Sequence, residues 1–188
     1  MEADSFLMAL SVISISKAND MKRIHYALIL LLLFFINNIK AQTCHTGNIR
    51  LTSQSQLDSF YLLYPGCDTI NGDVEIEDLA NTITNLNGLG NLVHVKGIFS
   101  IKDCNRLRSV SGMNALTLID EALVIRDNDS LVTIRDFDNL DSIGGLIHIS
   151  GNPKLENLHG LEKIEVLRRE NTIFNNGLLT SLDGLNHV

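Results

Sequence analysis

Tryptophan is absent from this chain, proline occurs twice and aromatic residues make up 5% of it. A core in such a protein must be aliphatic. Two prolines also leave no proline-rich linker or recognition segment. Basic character is scarce: 15 Lys and Arg stand against 22 Asp and Glu, a formal charge of −7. No basic stripe is visible, which argues against nucleic acid or an anionic membrane as partner. Cysteine numbers three, an odd count that leaves at least one thiol outside any internal pair. At 188 residues there is still enough chain for one domain with a sizeable core.

Long hydrophobic runs are also missing, with one short exception. Tyr26 to Ile36 is apolar throughout, a run of 11 residues, about half of the roughly twenty that a membrane-spanning helix needs. Met21-Lys22-Arg23 precedes it and Ala41 follows. A basic start, a short apolar stretch and a small residue describe a secretory signal peptide over residues 1–41. Residues 1–20 precede the better start at Met21 and read as an over-extended frame. The alternative is an uncleaved membrane anchor. Gln42 and Thr43 ahead of Cys44 exclude a lipobox. Cleavage near Ala41 removes Lys17, Lys22, Arg23, Lys40, Glu2, Asp4 and Asp20, for a mature charge of about −8 with no transmembrane span. The expected location is secreted, extracellular or on the cell surface, where disulfides persist.

What the chain has in abundance is periodicity. Ile101, Ile125, Ile149 and Ile173 are spaced by 24 residues, as are Leu107, Leu131, Leu155 and Leu179. Val110, Ile134, Leu158 and Leu182 follow the same rule, and so do Met113, Phe137, Leu161 and Leu185. Leu86, Leu89, Leu92 and Val95 continue the columns one turn earlier. Columns in register over several copies are the mark of a repeat architecture. Within a copy, Phe99/Ile101, Leu123/Ile125 and Ile147/Ile149 alternate as in a strand with one buried face. The steps of three in Val110, Met113, Leu116 and Ile119 drift around a helix, and Gly88, Gly112, Gly160 and Gly184 interrupt them. The expected fold is therefore an all-β solenoid, a right-handed β-helix-like coil of about 24 residues per turn, held by nearest-neighbour stacking.

Residues 42–71 break that pattern. Ser53 with Gln56 is a capping box, and Leu57, Phe60, Tyr61 and Tyr64 make one apolar helical face ending at Pro65-Gly66. The segment predicts a helical cap over the first turn. Cys44 and Cys67 flank it and are expected to form a disulfide, the alternative being two free thiols. Residues 72–188 are the repeat region. Its apolar columns still run at Val188, so the repeats are expected to be incomplete at the C-terminal side.

The stretches "GDVEIEDLANTITNLNGL", "LVIRDNDSLVTIRDFDNLDSIGG" and "LIHISGNPKLENLHGLEKI" carry an I-x-x-N-x-x-L-x-x-L pattern with GL corners. This resembles the leucine-rich-repeat-like receptor L domain of receptor ectodomains, and is similar above all to repeats of secreted Bacteroidota-type bacterial proteins. The opening "CHTGNIRLTSQSQLDSFYLLYPGCDTINGDV" resembles the helical cap of such proteins. The resemblance covers about residues 44–188 and implies a recognition fold without specifying a ligand. The pattern departs at Asn171, where the columns call for an apolar residue, and this puts the fifth strand in doubt.

Cys104, Asn128, Asn152 and Asn176 share one column. Leucine-rich repeats accept Asn or Cys there, and the expected role is an inward ladder of hydrogen bonds in which the thiol is the weak rung. Outward residues of the strands form the candidate binding face. One row reads Glu75, Ser100, Val124, His148, Thr172 and the next Glu77, Lys102, Arg126, Ser150, Phe174. Glu77, Lys102 and Arg126 are expected to make a charge ladder, or else a solvated face with weak ion pairs. The possible ligand residues are Glu77, Lys102, Arg126, His148, Ser150 and Phe174. The histidines lack metal-ligand spacing. Residues 126–131, RDNDSL, lack the glycine and distal glutamate of a calcium loop. Asn128-Asp129-Ser130 is formally a glycosylation sequon on an inward position. No catalytic grouping or phosphate loop is present, so no enzyme activity, metal or cofactor is expected. The expected function is a non-catalytic recognition or adhesion module for a protein or glycan, the alternative being a structural spacer within a larger surface protein.

Overall fold

Alternation of buried and outward residues gives each strand one face for the core, and the repeat supplies its neighbour. The computed structural model describes the backbone of residues 42–45 and all of residues 47–188. These belong to the compact unit Ala41–Val188. The signal-peptide assignment over residues 1–41 lies outside the described residues.

Eleven strands follow in chain order: β1 (Gln42–His45), β2 (Ile49–Leu51), β3 (Cys67–Ile70), β4 (Val74–Glu77), β5 (His94–Val95), β6 (Phe99–Lys102), β7 (Leu118–Ile119), β8 (Leu123–Arg126), β9 (Ser142–Ile143), β10 (Ile147–Ser150) and β11 (Thr172–Phe174). They form two sheets, one ordered β1-β3-β5-β7-β9 and the other β11-β10-β8-β6-β4-β2. All the strand pairs are parallel. The register joins Leu51, Ile76, Ile101, Ile125, Ile149 and Ile173 across the larger sheet. Offsets of 25 residues in the first turns give way to 24 from Ile101 onward.

Among the described residues one α-helix, α1 (Gln54–Leu63), lies between β2 and β3. The Ser53 side chain accepts from the Gln56 N–H, while the Gln56 Oε1 accepts from the Thr52 N–H at 2.6 Å. The reciprocal capping bond thus reaches one residue further out than the usual box. Leu57 and Phe60 are buried in the same cluster as the strand residues, and Tyr64 packs on Phe60 with ring centroids 5.1 Å apart. Tyr61 does not join that face and is 47% exposed, because the buried stripe is only as wide as positions 57, 60 and 64.

The all-β class expected from the repeats is overturned. The described residues are mixed α/β, two parallel sheets with one α-helix, and buried residues of that helix are part of the core. Gly88 meets the helix so closely that a Cβ there would lie 1.8 Å from the Leu57 carbonyl oxygen. Short 3₁₀ turns form at Asn87–Leu89, one of the GL corners, and at Arg135–Phe137. Phe99 and Phe137 meet edge to face at 6.1 Å in the centre. Among the described residues no helix is long and apolar enough to cross a membrane.

The doubtful fifth strand forms as β11. In earlier turns the N–H that opens each strand donates to a backbone carbonyl of the next turn, as in Phe99 to Ala122 and Leu123 to Leu146. At Ile147 the acceptor is instead the Asn171 side-chain oxygen, at 2.7 Å. A polar residue in an apolar column therefore substitutes for a main-chain partner.

Candidate functional site

The outer face of the six-stranded sheet aligns two rows of side chains, because strand pairing in register stacks every second residue. Arg50, Glu75, Ser100, Val124, His148 and Thr172 form one row, and Glu77, Lys102, Arg126, Ser150 and Phe174 the other. The two ends of this face differ in chemistry.

At the β2–β8 end the charges pair both along the first row, Arg50 with Glu75, and across to the second. Arg50 bridges Glu75 at 3.3 Å and also bonds Glu77, while Lys102 bonds Glu75. Arg126 turns to Asp127, 2.7 Å away. The expected ladder of Glu77, Lys102 and Arg126 thus has its residues in register but its partners elsewhere. Arg50, absent from the sequence reading, is the missing cation; its alternation with Ile49 and Leu51 in a three-residue strand was too short a signal. Its hydrogen bond holds the Glu77 carboxyl below the ordinary value, and Lys102 and Arg126 push the same way against partial desolvation. The same bond raises the Arg50 guanidinium.

At the β10–β11 end His148 is held on both sides. Its Nδ1 lies 2.5 Å from Thr172 Oγ1 and its Nε2 2.9 Å from Ser150 Oγ. Phe174 stands edge-on to the imidazole at 5.7 Å and is 50% exposed. Ser150 is buried beneath them. A fixed imidazole beside an exposed ring makes an apolar plane with polar atoms at its edge.

Under this face runs the column of Cys104, Asn128, Asn152 and Asn176. Asn128 Oδ1 accepts the Cys104 N–H at 2.9 Å, Asn152 Oδ1 the Asn128 N–H at 3.2 Å, and Asn176 Oδ1 the Asn152 N–H at 3.0 Å. Each Asn Nδ2 donates to a strand carbonyl of the preceding turn: Asn128 to Ile101, Asn152 to Ile125, Asn176 to Ile149. Cys104 offers only its thiol, 3.9 Å from the Ile76 oxygen and 3.3 Å from that of Lys102. Burial, with the Asp78 and Asp103 charges adding to it, pushes that thiol up to about 12, so it is not a nucleophile at neutral pH. Asn128 is fully buried, so the folded chain presents no acceptor amide at the sequon.

One column the sequence reading missed makes this possible. Asp103, Asp127, Gly151 and Asn175 all have φ between 55° and 66°. The left-handed residue ends each strand and turns the next side chain inward. Its signal was present as Asp, Asp, Gly, Asn at 24-residue spacing, the residue types that tolerate this conformation.

Of the two cysteines expected to pair, Cys67 is buried in β3, and β3 pairs with β1, the strand that contains Cys44. The side chain of Cys44 lies outside the described residues. Among the described residues the free thiol is Cys104. No protein-family model matches the chain, and no curated protein matches it either.

Proposed function

We propose that this chain is a non-catalytic recognition or adhesion module, secreted or held at the cell surface, that binds a protein or glycan through the outer face of the six-stranded sheet. Membership of the receptor L domain family is part of this reading and rests on the sequence pattern. The observation that carries it is the paired row of outward side chains, which ends in an exposed Phe174 against an immobilised His148. Flat sheet faces with aligned residues suit extended or saccharide partners, since their affinity comes from a few anchors on a rigid base. A Cys44–Cys67 disulfide belongs to the same proposal. It would close the helix-bearing loop and add about 3 kcal/mol, and intact-mass measurement with and without reduction tests it.

A spacer with no ligand of its own is the second reading. It is favoured by the way Arg50, Glu75, Glu77 and Lys102 satisfy one another internally. Two variants separate the readings: Lys102→Glu with Arg126→Glu, and Phe174→Ala with His148→Ala. Each is checked for an unchanged circular dichroism spectrum and then assayed on a glycan array and on host cells. Binding that falls about tenfold or more in either folded variant supports the face. Full binding by both leaves the spacer.

A further inference from the structure

Away from the sheet face, three corner segments at residues 105–108, 129–132 and 153–156 lie one above another. Their inward residues Leu107, Leu131 and Leu155 are fully buried. Outward, the 24-residue offset stacks Arg106, Ser130 and Lys154, with Arg108 beside them. Together with Thr84 these residues line an open surface cavity of about 430 Å³, with all of them but Ser130 exposed. Every ionisable residue in it is a cation, in a chain whose formal charge is −7.

The platform is fixed while the charges are free. Leu107, Leu131 and Leu155 donate their N–H groups to the carbonyls of Cys104, Asn128 and Asn152, at 3.0, 3.2 and 3.1 Å. Val132 donates to Arg108 at 2.9 Å, and Ser109 bridges Thr133. The Thr84 N–H is tied to Gln54 Oε1 of α1 at 2.8 Å. Among the described residues none of the three cations has an ion-pair partner; Arg106 has only a long bond to the Asn81 carbonyl, at 3.4 Å.

We propose that this cavity binds a single tetrahedral oxyanion, a sulfate or phosphate monoester carried on a sugar. Two guanidinium forks, one ammonium and the Ser130 hydroxyl supply donors from several directions, the set that a three-oxygen anion uses, while the Thr84 hydroxyl donates to Gln54 Oε1 at 3.4 Å. The volume suits one charged group and part of one ring. An extended polyanion such as nucleic acid would meet the exposed carboxylates of Asp129 and Glu156, neighbours of Ser130 and Lys154. The site uses none of the residues of the sheet face and does not depend on the reading given to that face.

The test is a titration of the isotopically labelled full chain, followed by amide resonances at low ionic strength. The probes are glucosamine 6-sulfate, glucose 6-phosphate, inorganic sulfate, inorganic phosphate and glucose. Saturable shifts at residues 84, 106, 108, 130 and 154 are expected with one or both sugar esters, and none with glucose. The ester that binds tighter identifies the source of the oxyanion. Arg108→Ala with Lys154→Ala should weaken binding about tenfold, while Arg108→Lys with Lys154→Arg keeps it and Lys163→Ala leaves it unchanged. Absence of saturable shifts overturns the proposal, as does glucose binding like its esters. Binding of the bare ions without the esters, or equal affinity in the folded double alanine variant, overturns it too.

Discussion

The Asn column shows what one side chain per turn accomplishes. Its oxygen receives an N–H that the left-handed residue before it has turned away from the strand, and its nitrogen closes a carbonyl one turn back. A buried amide left without a partner costs about 1–3 kcal/mol, so each turn from Cys104 to Asn176 is keyed to its neighbour by one residue. Cys104 fills the key imperfectly. Cys104→Asn would place an Nδ2 donor toward the Ile76 carbonyl, as Asn128 does toward Ile101. We expect a gain of about 1 kcal/mol in urea unfolding; a large loss would refute the ladder. Glu77 is the second residue with a measurable consequence. Its folded value lies below the ordinary 4.5, so the charged form contributes stability above that pH. The contribution is lost as pH falls through the depressed folded value. Arg50→Met should move the Glu77 carboxyl midpoint upward in an NMR pH titration. Lys102 and Arg126 retain part of the depression, and an unmoved midpoint would show that Arg50 is not its main cause.

Elements divide into those that periodicity announces and those it hides. The strands of the larger sheet were legible because Ile101, Ile125 and Ile149 alternate with polar residues and repeat. The helix was legible too, from Ser53, Gln56 and the Leu57–Phe60 spacing. A cap over the first turn was its expected place, but the backbone contact with Gly88, some thirty residues on, was not legible, since nothing in ten residues encodes it. Gly88→Ala forces a Cβ into the Leu57 carbonyl, 1.8 Å away. The helix must then move, at a cost of about 3 kcal/mol, readable as a lower urea midpoint with loss of helical ellipticity. Strand β11 failed the sequence test for the opposite reason. The apolar rule at Asn171 had no means of anticipating a side chain that stands in for the main chain.

For the whole molecule, the sequence set the register and the core but misjudged how the surface pairs. Column arithmetic placed Glu77, Lys102 and Arg126 on one row. It could not show that Arg50 and Glu75 draw the partners across rows, because side-chain reach is not encoded in spacing. His148 and Phe174 were likewise named singly, and only geometry joins them. The amide column, finally, has a direction. Each oxygen serves the turn before it, so Asn176 secures Asn152, Asn152 secures Asn128, and Asn128 secures Cys104. Within the column, fraying that begins at β11 takes an N–H acceptor from the turn upstream, whereas the column begins at Cys104 and β2 holds no member of it. The protein should open like a zipper with a single pull-tab. Native-state hydrogen exchange would then rank the amides of residues 152, 128 and 104 in order of increasing protection; a flat or reversed order would mean that the turns open together or from the helix side.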